Sequence, residues 1–287
     1  MTTNAGGEAP PLKMMEDLYQ YEKLPVADVR RRSREANHER IRERMKGDPD
    51  WAAHFADVRL SLALEPVDIL EQLDANPMQV SDSVLDLSQG SAMHVLVAPY
   101  HYGGRDPEST ARTFPNHEQG TIGMGADAGN VEGVDVDRQE GTCWIGVGLF
   151  SSQTINVRVA PMIFWKSMWT LGVAGVVVFT SSPWADWKAN VSTQAYDSAG
   201  PVTPLQTEQI VHRRLRDAPG PSWKKDDSWG SGTVPTMHHY FTIPGGTTRW
   251  FNVIANGVAE VDYSFENTAA AQCGMDLNVN LIVVERL

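Results

Sequence analysis

His238 and His239, in the stretch MHHYFTIPGG, are the first residues in this sequence whose type and proximity could do chemistry. An extended chain alternates its side chains between two faces, so adjacent histidines cannot both reach one ion unless a bulge intervenes. Histidines that ligate from one strand sit two apart. His94 and His101 are seven apart, on opposite faces of a continuous strand, and His117 and His212 would have to join them across loops to complete a zinc site. The pair is therefore read as two ordinary strand residues.

The most acidic stretch, GADAGNVEGVDVDRQEG, offers Asp127, Asn130, Glu132, Asp135 and Asp137 as oxygen ligands. Asp135 and Asp137 alternate and share a face, which makes calcium at Asp127, Asp135 and Asp137 the one cofactor this sequence proposes. The spacing departs from the EF-hand loop, and a solvated hairpin tip is the plainer reading.

Tryptophans supply the third signal. Trp184 and Trp187 in SSPWADWKA, and Trp223 and Trp229 in PGPSWKKDDSWGSG, sit among Pro, Gly, Ser and Asp, a composition that reads as loop. Rings on loops beside Asp and Lys stack on sugars or anchor a protein interface, so these four are the candidate ligand-binding residues. The competing reading folds them back as lids over the core. Trp165 and Trp169, in MIFWKSMW, read as core or subunit contact.

No Gly-x-Ser-x-Gly elbow is present, and neither GGTTRWFN nor SWGSGT has the strand-to-helix context of a phosphate-binding loop. No catalytic residue is assigned on this basis. A carboxylate pair for glycoside hydrolysis is set by space and not by sequence, so a hydrolase on the same scaffold, using the 127–137 carboxylates and a histidine, stays open as an alternative.

These residues need elements to hold them, and the chain changes character near residue 80. Residues 1–80 are rich in Glu, Arg, Leu, Ala and Met, with Pro25, Asp48-Pro49 and Pro66 as punctuation, and read as a helical, charged arm. Leu62, Leu64, Val67, Leu70 and Leu73 form an apolar stripe, whereas Asp28 to Lys46 carries only Val29, Ile41 and Met45. A stretch that polar bridges solvent or pairs with another subunit.

Residues 81–287 switch to short runs rich in Val, Ile, Thr and aromatics, nine in all, of which EVDYSF and MDLNVNLIVVERL are the last two. In the final run, Leu277, Val279, Leu281 and Val283 are expected on one face and Asp276, Asn278 and Asn280 on the other. Pro204 to Asp217 reads as a helix, and Tyr102 to Glu118 as a loop. The expected fold is mainly β: an antiparallel β-sandwich, jelly-roll-like, preceded by the helical N-terminal region.

Composition bounds the role. With 36 acidic against 24 basic residues the formal charge is −12, a field that repels phosphate backbones, and the one basic cluster, RRRSRE at Arg30 to Glu35, has its continuation interrupted by acidic residues. Nucleic acid is not an expected partner. Cys143 and Cys273 lie in apolar runs and read as small hydrophobes, with a mutual disulfide as the alternative. The N-terminus lacks a basic region followed by an apolar one, and the most apolar window, GVAGVVVFTSSPW, is shorter than a spanning helix needs, so a cytoplasmic protein without a transmembrane segment is expected, with export by a machine that cleaves no signal as the exception.

The functional expectation is a non-enzymatic binding or assembly protein. Its arm would mediate oligomerisation or docking to itself or another protein, and its Trp-rich loops would form the recognition surface, glycan included. The remaining alternative is a secreted toxin or pore former, with the run Val173 to Phe179 as a latent membrane strand.

Overall fold

A computed structural model describes residues 84–88, 90–129, 136–175, 183–216, 222–262 and 268–287. The expected helical arm of residues 1–80 lies outside these, as does Asp135. The described chain is all β, with no helix, and so none long and apolar enough to cross a membrane; this says nothing of a β-barrel.

Fourteen strands follow in order: β1 (Leu85–Asp86), β2 (Met93–Leu96), β3 (Tyr102–Arg105), β4 (Arg112–Asn116), β5 (Thr121–Gly129), β6 (Arg138–Ser151) and β7 (Ile155–Gly175) in the first half. The second half holds β8 (Trp184–Asp197), β9 (Gly200–Pro201), β10 (Gln206–Arg216), β11 (Ser222–Thr233), β12 (His239–Ile243), β13 (Thr247–Asp262) and β14 (Thr268–Arg286). They form two seven-stranded sheets. Sheet A runs β1-β6-β13-β8-β10, with β3 also on β6 and β9 also on β8; sheet B runs β11-β7-β14-β5-β4, with β12 also on β7 and β2 also on β14. Every pairing is antiparallel except β1 with β6.

The inward residues of both sheets make one core. Cys143, Ile145, Val147 and Leu149 from β6, Val157, Val159, Trp169, Leu171 and Val173 from β7, and Leu277 and Val279 from β14 all belong to it. One hydrogen-bonded chain links the sheets through its middle: the Trp187 indole donates to Ser167 Oγ at 3.0 Å, and Ser167 Oγ donates to the Gly274 carbonyl at 2.7 Å.

Four expectations are corrected. The described part of the stretch Pro204 to Asp217 is not a helix: β10 pairs with β8 from Gln206 opposite Thr193 to Arg216 opposite Trp184. Its arginines read as helix formers, but in the strand they alternate, with Arg213 over the Trp169 ring at 5.1 Å and Arg214 over the Trp184 ring at 4.2 Å. Tertiary pairing overrides local propensity here. Tyr102 to Glu118 contains β3 and β4 rather than one loop. Gly104 sits in β3 because the Trp144 ring lies over it, and a Cβ there would stand 2.7 Å from Trp144 Cζ2.

RWFNVIANG and the described start of EVDYSF, Glu260 to Asp262, are one strand, β13, and its Asn256-Gly257 is no turn. Gly257 lies under the Trp187 ring, with room for no side chain: a Cβ would be 2.8 Å from Trp187 Cη2. Finally, the register of β14 shifts between Val279 and Leu281. Leu277 and Val279 face the core, but past the bulge the parity inverts, and Ile282 and Val284 take the core positions in place of Leu281 and Val283.

Candidate recognition groove

The outward face of sheet B holds a groove of about 760 Å³, built by four adjacent strands. Strand pairing sets its rows. In the central row Trp229 of β11 stands opposite Met168 of β7, Met168 opposite Gly274 of β14, and Gly274 opposite Gly125 of β5. One row along, Asp227, Thr170, Gln272 and Asp127 follow in the same strand order. On the other side run Ser231, Lys166, Asp276, Gly123 and then Phe114 of β4.

The sequence explains the shape. TIGMGADAG alternates strictly, sending Ile122, Met124, Ala126 and Ala128 inward and leaving Gly123, Gly125 and Asp127 outward. With Gly274 beside Gly125 the floor of the groove is bare backbone, and Trp229 and Met168 stand up as its wall. Trp229 is 65% exposed, Phe114 61% and Met168 58%. Large apolar side chains displayed together on one strand face are what a binding surface looks like before it is occupied.

The polar groups are anchored at the rim. Thr170 Oγ1 donates to Asp227 Oδ1 at 3.1 Å and Lys225 Nζ to Asp227 Oδ2 at 2.8 Å, and these bonds hold the Asp227 carboxyl below its ordinary pKa. Asp127 faces Arg112 at 3.7 Å, and its backbone N–H donates to Gln139 Oε1 at 3.0 Å. A stacking ring flanked by carboxylates, an amide and an ammonium can bind a polyhydroxylated or peptide surface.

Two of the residues singled out in the sequence, Asp127 and Trp229, meet in this groove. The others do not join them. Trp187 is fully buried in the core, so its reading as a loop-borne ligand contact is corrected; the alternation of Ala185, Trp187, Ala189 and Val191 makes it an inward strand residue. Trp184 opens β8 in the other sheet, half-buried, its indole donating to Asp262 Oδ2 at 2.9 Å. Trp223 lies in β11 opposite Ala174. All four tryptophans lie in strands, β8 and β11, and not in loops. Asp137 is exposed just before β6, beyond the bridge between Gly129 and Val136. Among the described residues no three His, Cys, Asp or Glu side chains are grouped to hold an ion.

Met168, Lys166, Gln272 and the floor glycines were not singled out from the sequence. The signal that could have found them is glycine at every second position of TIGMGADAG, which strips one face of a strand.

His239 opens β12, while His238 lies just before it, outside any strand, which corrects the reading of both as strand residues. His239 is buried, with Thr193 Oγ1 at 2.8 Å from Nε2 and Thr203 Oγ1 at 2.9 Å from Nδ1, while His238 is half-buried. Burial first, and the neighbouring His238 second, lower the His239 pKa from 6.5 to about 4. Below pH 6.5 the unfolded chain takes up a proton that the folded chain refuses until about pH 4. Stability is therefore expected to fall by about 3 kcal/mol as pH drops through that window, and to be fully present above it. Urea titrations at pH 7 and pH 4.5 check this. His239→Gln, which cannot titrate, should lose that share of the slope, and an unchanged slope would assign it to other groups.

Cys143 and Cys273 are free and buried. Burial pushes the Cys143 thiol up to about 12 and Cys273 higher still, so neither is a nucleophile at neutral pH.

No known family profile matches the chain, and no curated protein matches it. Among solved structures, the K1 cleaved adhesin domain of Lys-gingipain from Porphyromonas gingivalis W83 aligns at 9% identity and a TM-score of 0.19, over 69% of this chain and 93% of that one. The structure of infectious bursal disease virus, Gx strain, aligns at 7% identity and a TM-score of 0.12, over 68% of this chain and 40% of that one. Likeness at this level establishes neither a shared fold nor a shared role.

Proposed function

We propose that this chain is a non-enzymatic assembly subunit whose sheet-B groove is its recognition surface, taking a second copy of the same chain. The observation that carries the reading is the exposed pair Trp229 and Met168 over a glycine floor. Aromatic residues and methionine are enriched where protein surfaces meet, and these two stand on adjacent strands of a sheet face that a solitary protein would keep polar.

Topology supports the same reading. The orders β5-β14-β7-β11 and β6-β13-β8-β10 arise as the chain crosses between sheets at nearly every step, and this supports reading the two sheets as a jelly-roll sandwich. That architecture recurs in shell-forming and sugar-binding proteins, so its weight is that of a fold-level analogy. The long edge strands β10 and β11 are dense in charge, with Arg213, Arg214 and Arg216 on one and Lys224, Lys225, Asp226 and Asp227 on the other. Charged edges oppose strand-to-strand fibre growth and leave the sheet faces as the surface for ordered contact. The polar stretch from Asp28 to Lys46 would add contacts between subunits.

Light scattering behind size exclusion, with negative-stain imaging, tests this on the full chain. The expected result is a large particle of defined mass that Trp229→Ala with Met168→Ser reduces to small species. A monomer across protein concentrations and salt would overturn it. The groove favours one second reading, a glycan site, because Trp229 stands beside Asp227 and Gln272. Retention on a glycan array that Trp229→Ala abolishes, in a chain that stays monomeric, would select that reading instead.

A further inference from the structure

The inverted parity beyond the β14 bulge has its largest effect at Leu281, Ile282, Val283 and Val284, all at most 2% exposed. Ile282 and Val284 belong to the core between the sheets, whereas Leu281 and Val283 are buried on the opposite, outward face of sheet B. Pairing extends this second set into a block. Leu281 stands opposite Met162, Val283 opposite both Ala160 and Val95, and Glu285 opposite both Arg158 and Met93. None of these residues belongs to the core cluster, and all are 0–7% exposed. Sheet A packs against the other face. A sheet apolar and buried on both faces is the middle layer of three.

We propose that the third layer is this chain's own N-terminal segment, residues 62–73, laid with Leu62, Leu64, Val67, Leu70 and Leu73 against Leu281, Val283, Ala160, Met162 and Val95. Three observations choose this occupant. The chain before Val84 is long enough, and it enters the fold through β1 (Leu85–Asp86), paired with β6 in sheet A, a few residues ahead of β2, whose Met93 and Val95 are part of the block. Leu73 lies eleven positions before Val84, where the chain is fixed in sheet A, a tether of at most about 40 Å that gives the segment a local concentration no separate chain matches in dilute solution. The only charges in the block, Arg158 and Glu285, neutralise each other, so the site selects an apolar stripe and excludes the highly charged stretch from Asp28 to Lys46.

The test uses the full chain with a benzophenone amino acid in place of Tyr240, which is 57% exposed and whose hydroxyl lies 3.4 Å from Arg158 at the border of the block. Chains labelled with ¹⁴N and ¹⁵N are mixed, irradiated and digested. The expected product joins residue 240 to a peptide within 62–73 of the same isotope. Leu70→Asp is expected to abolish it and to speed deuterium uptake at residues 281–284 at least tenfold, while Leu70→Met leaves both unchanged and near-ultraviolet dichroism reports an intact core. Mixed-isotope products would assign the layer to a second copy, and a product with another segment would assign it elsewhere. No product together with unchanged exchange in Leu70→Asp would also overturn the proposal.

Discussion

Alanine at Glu285 is expected to lower the unfolding free energy by about 3–5 kcal/mol, because it removes the carboxylate paired with a buried guanidinium. The Arg158 and Glu285 side chains are 6% and 2% exposed and face each other across β7 and β14. The Tyr240 hydroxyl at 3.4 Å and the Tyr240 ring at 5.8 Å from Arg158 are neutral contacts and do not stand in for the carboxylate. The double change Arg158→Met with Glu285→Leu removes both charges and fills the same volume, and is expected to recover most of the loss. Urea denaturation followed by tryptophan fluorescence measures all three. A cost below about 1 kcal/mol for the single change would mean that water reaches the pair.

Trp187→Ala is expected to cost about as much, 3–5 kcal/mol, by a different route. The ring is fully buried, spans the space between the sheets, and its indole N–H ends on Ser167. Truncation opens a cavity bordered by Gly257 and leaves Ser167 without that donor. Trp187→Phe keeps most of the packing and should lose markedly less. Gly257→Ala probes the same contact from the other side, since its Cβ would collide with the Trp187 ring in the native chain. In the Trp187→Ala background that collision is relieved, so the alanine should cost less there, though not nothing, because Met124 Sδ also lies 2.5 Å from the Cβ position. Additive costs in this cycle would mean that the two residues do not touch.

The all-β character and the two-residue alternation were legible, because burial on one face writes itself into every second residue. β8 and β14 are cases in point. What misled were residues whose role is set by a partner distant in the chain. Asn256-Gly257 carries a turn signature, yet its glycine is there for a tryptophan seventy residues earlier. Arg213 and Arg214 raise helix propensity, yet each stacks on a ring from a different strand. The bulge at Asn280 left LIVV as its trace, a run that breaks alternation because both faces are buried. Of the candidate site, Trp229 and Asp127 were visible as residue types, but their meeting was not, since β11 and β5 reach one groove only through β7 and β14 between them.

The position of β14 bears on how the protein is made. It is the last strand in the sequence, yet it lies in the middle of sheet B, hydrogen-bonded to β7 along one side and to β5 and β2 along the other. A ribosome delivers the neighbours first. Until residue 286 clears the exit tunnel, β7 and β5 face each other across an empty slot, with unpaired backbone edges and apolar side chains exposed to any other nascent chain. Folding cannot proceed as a series of local hairpins; it waits for the final strand to thread between partners roughly 110 and 150 residues upstream, as expected of slow, high-contact-order topologies. The interval between synthesis and closure is when this chain most needs a chaperone.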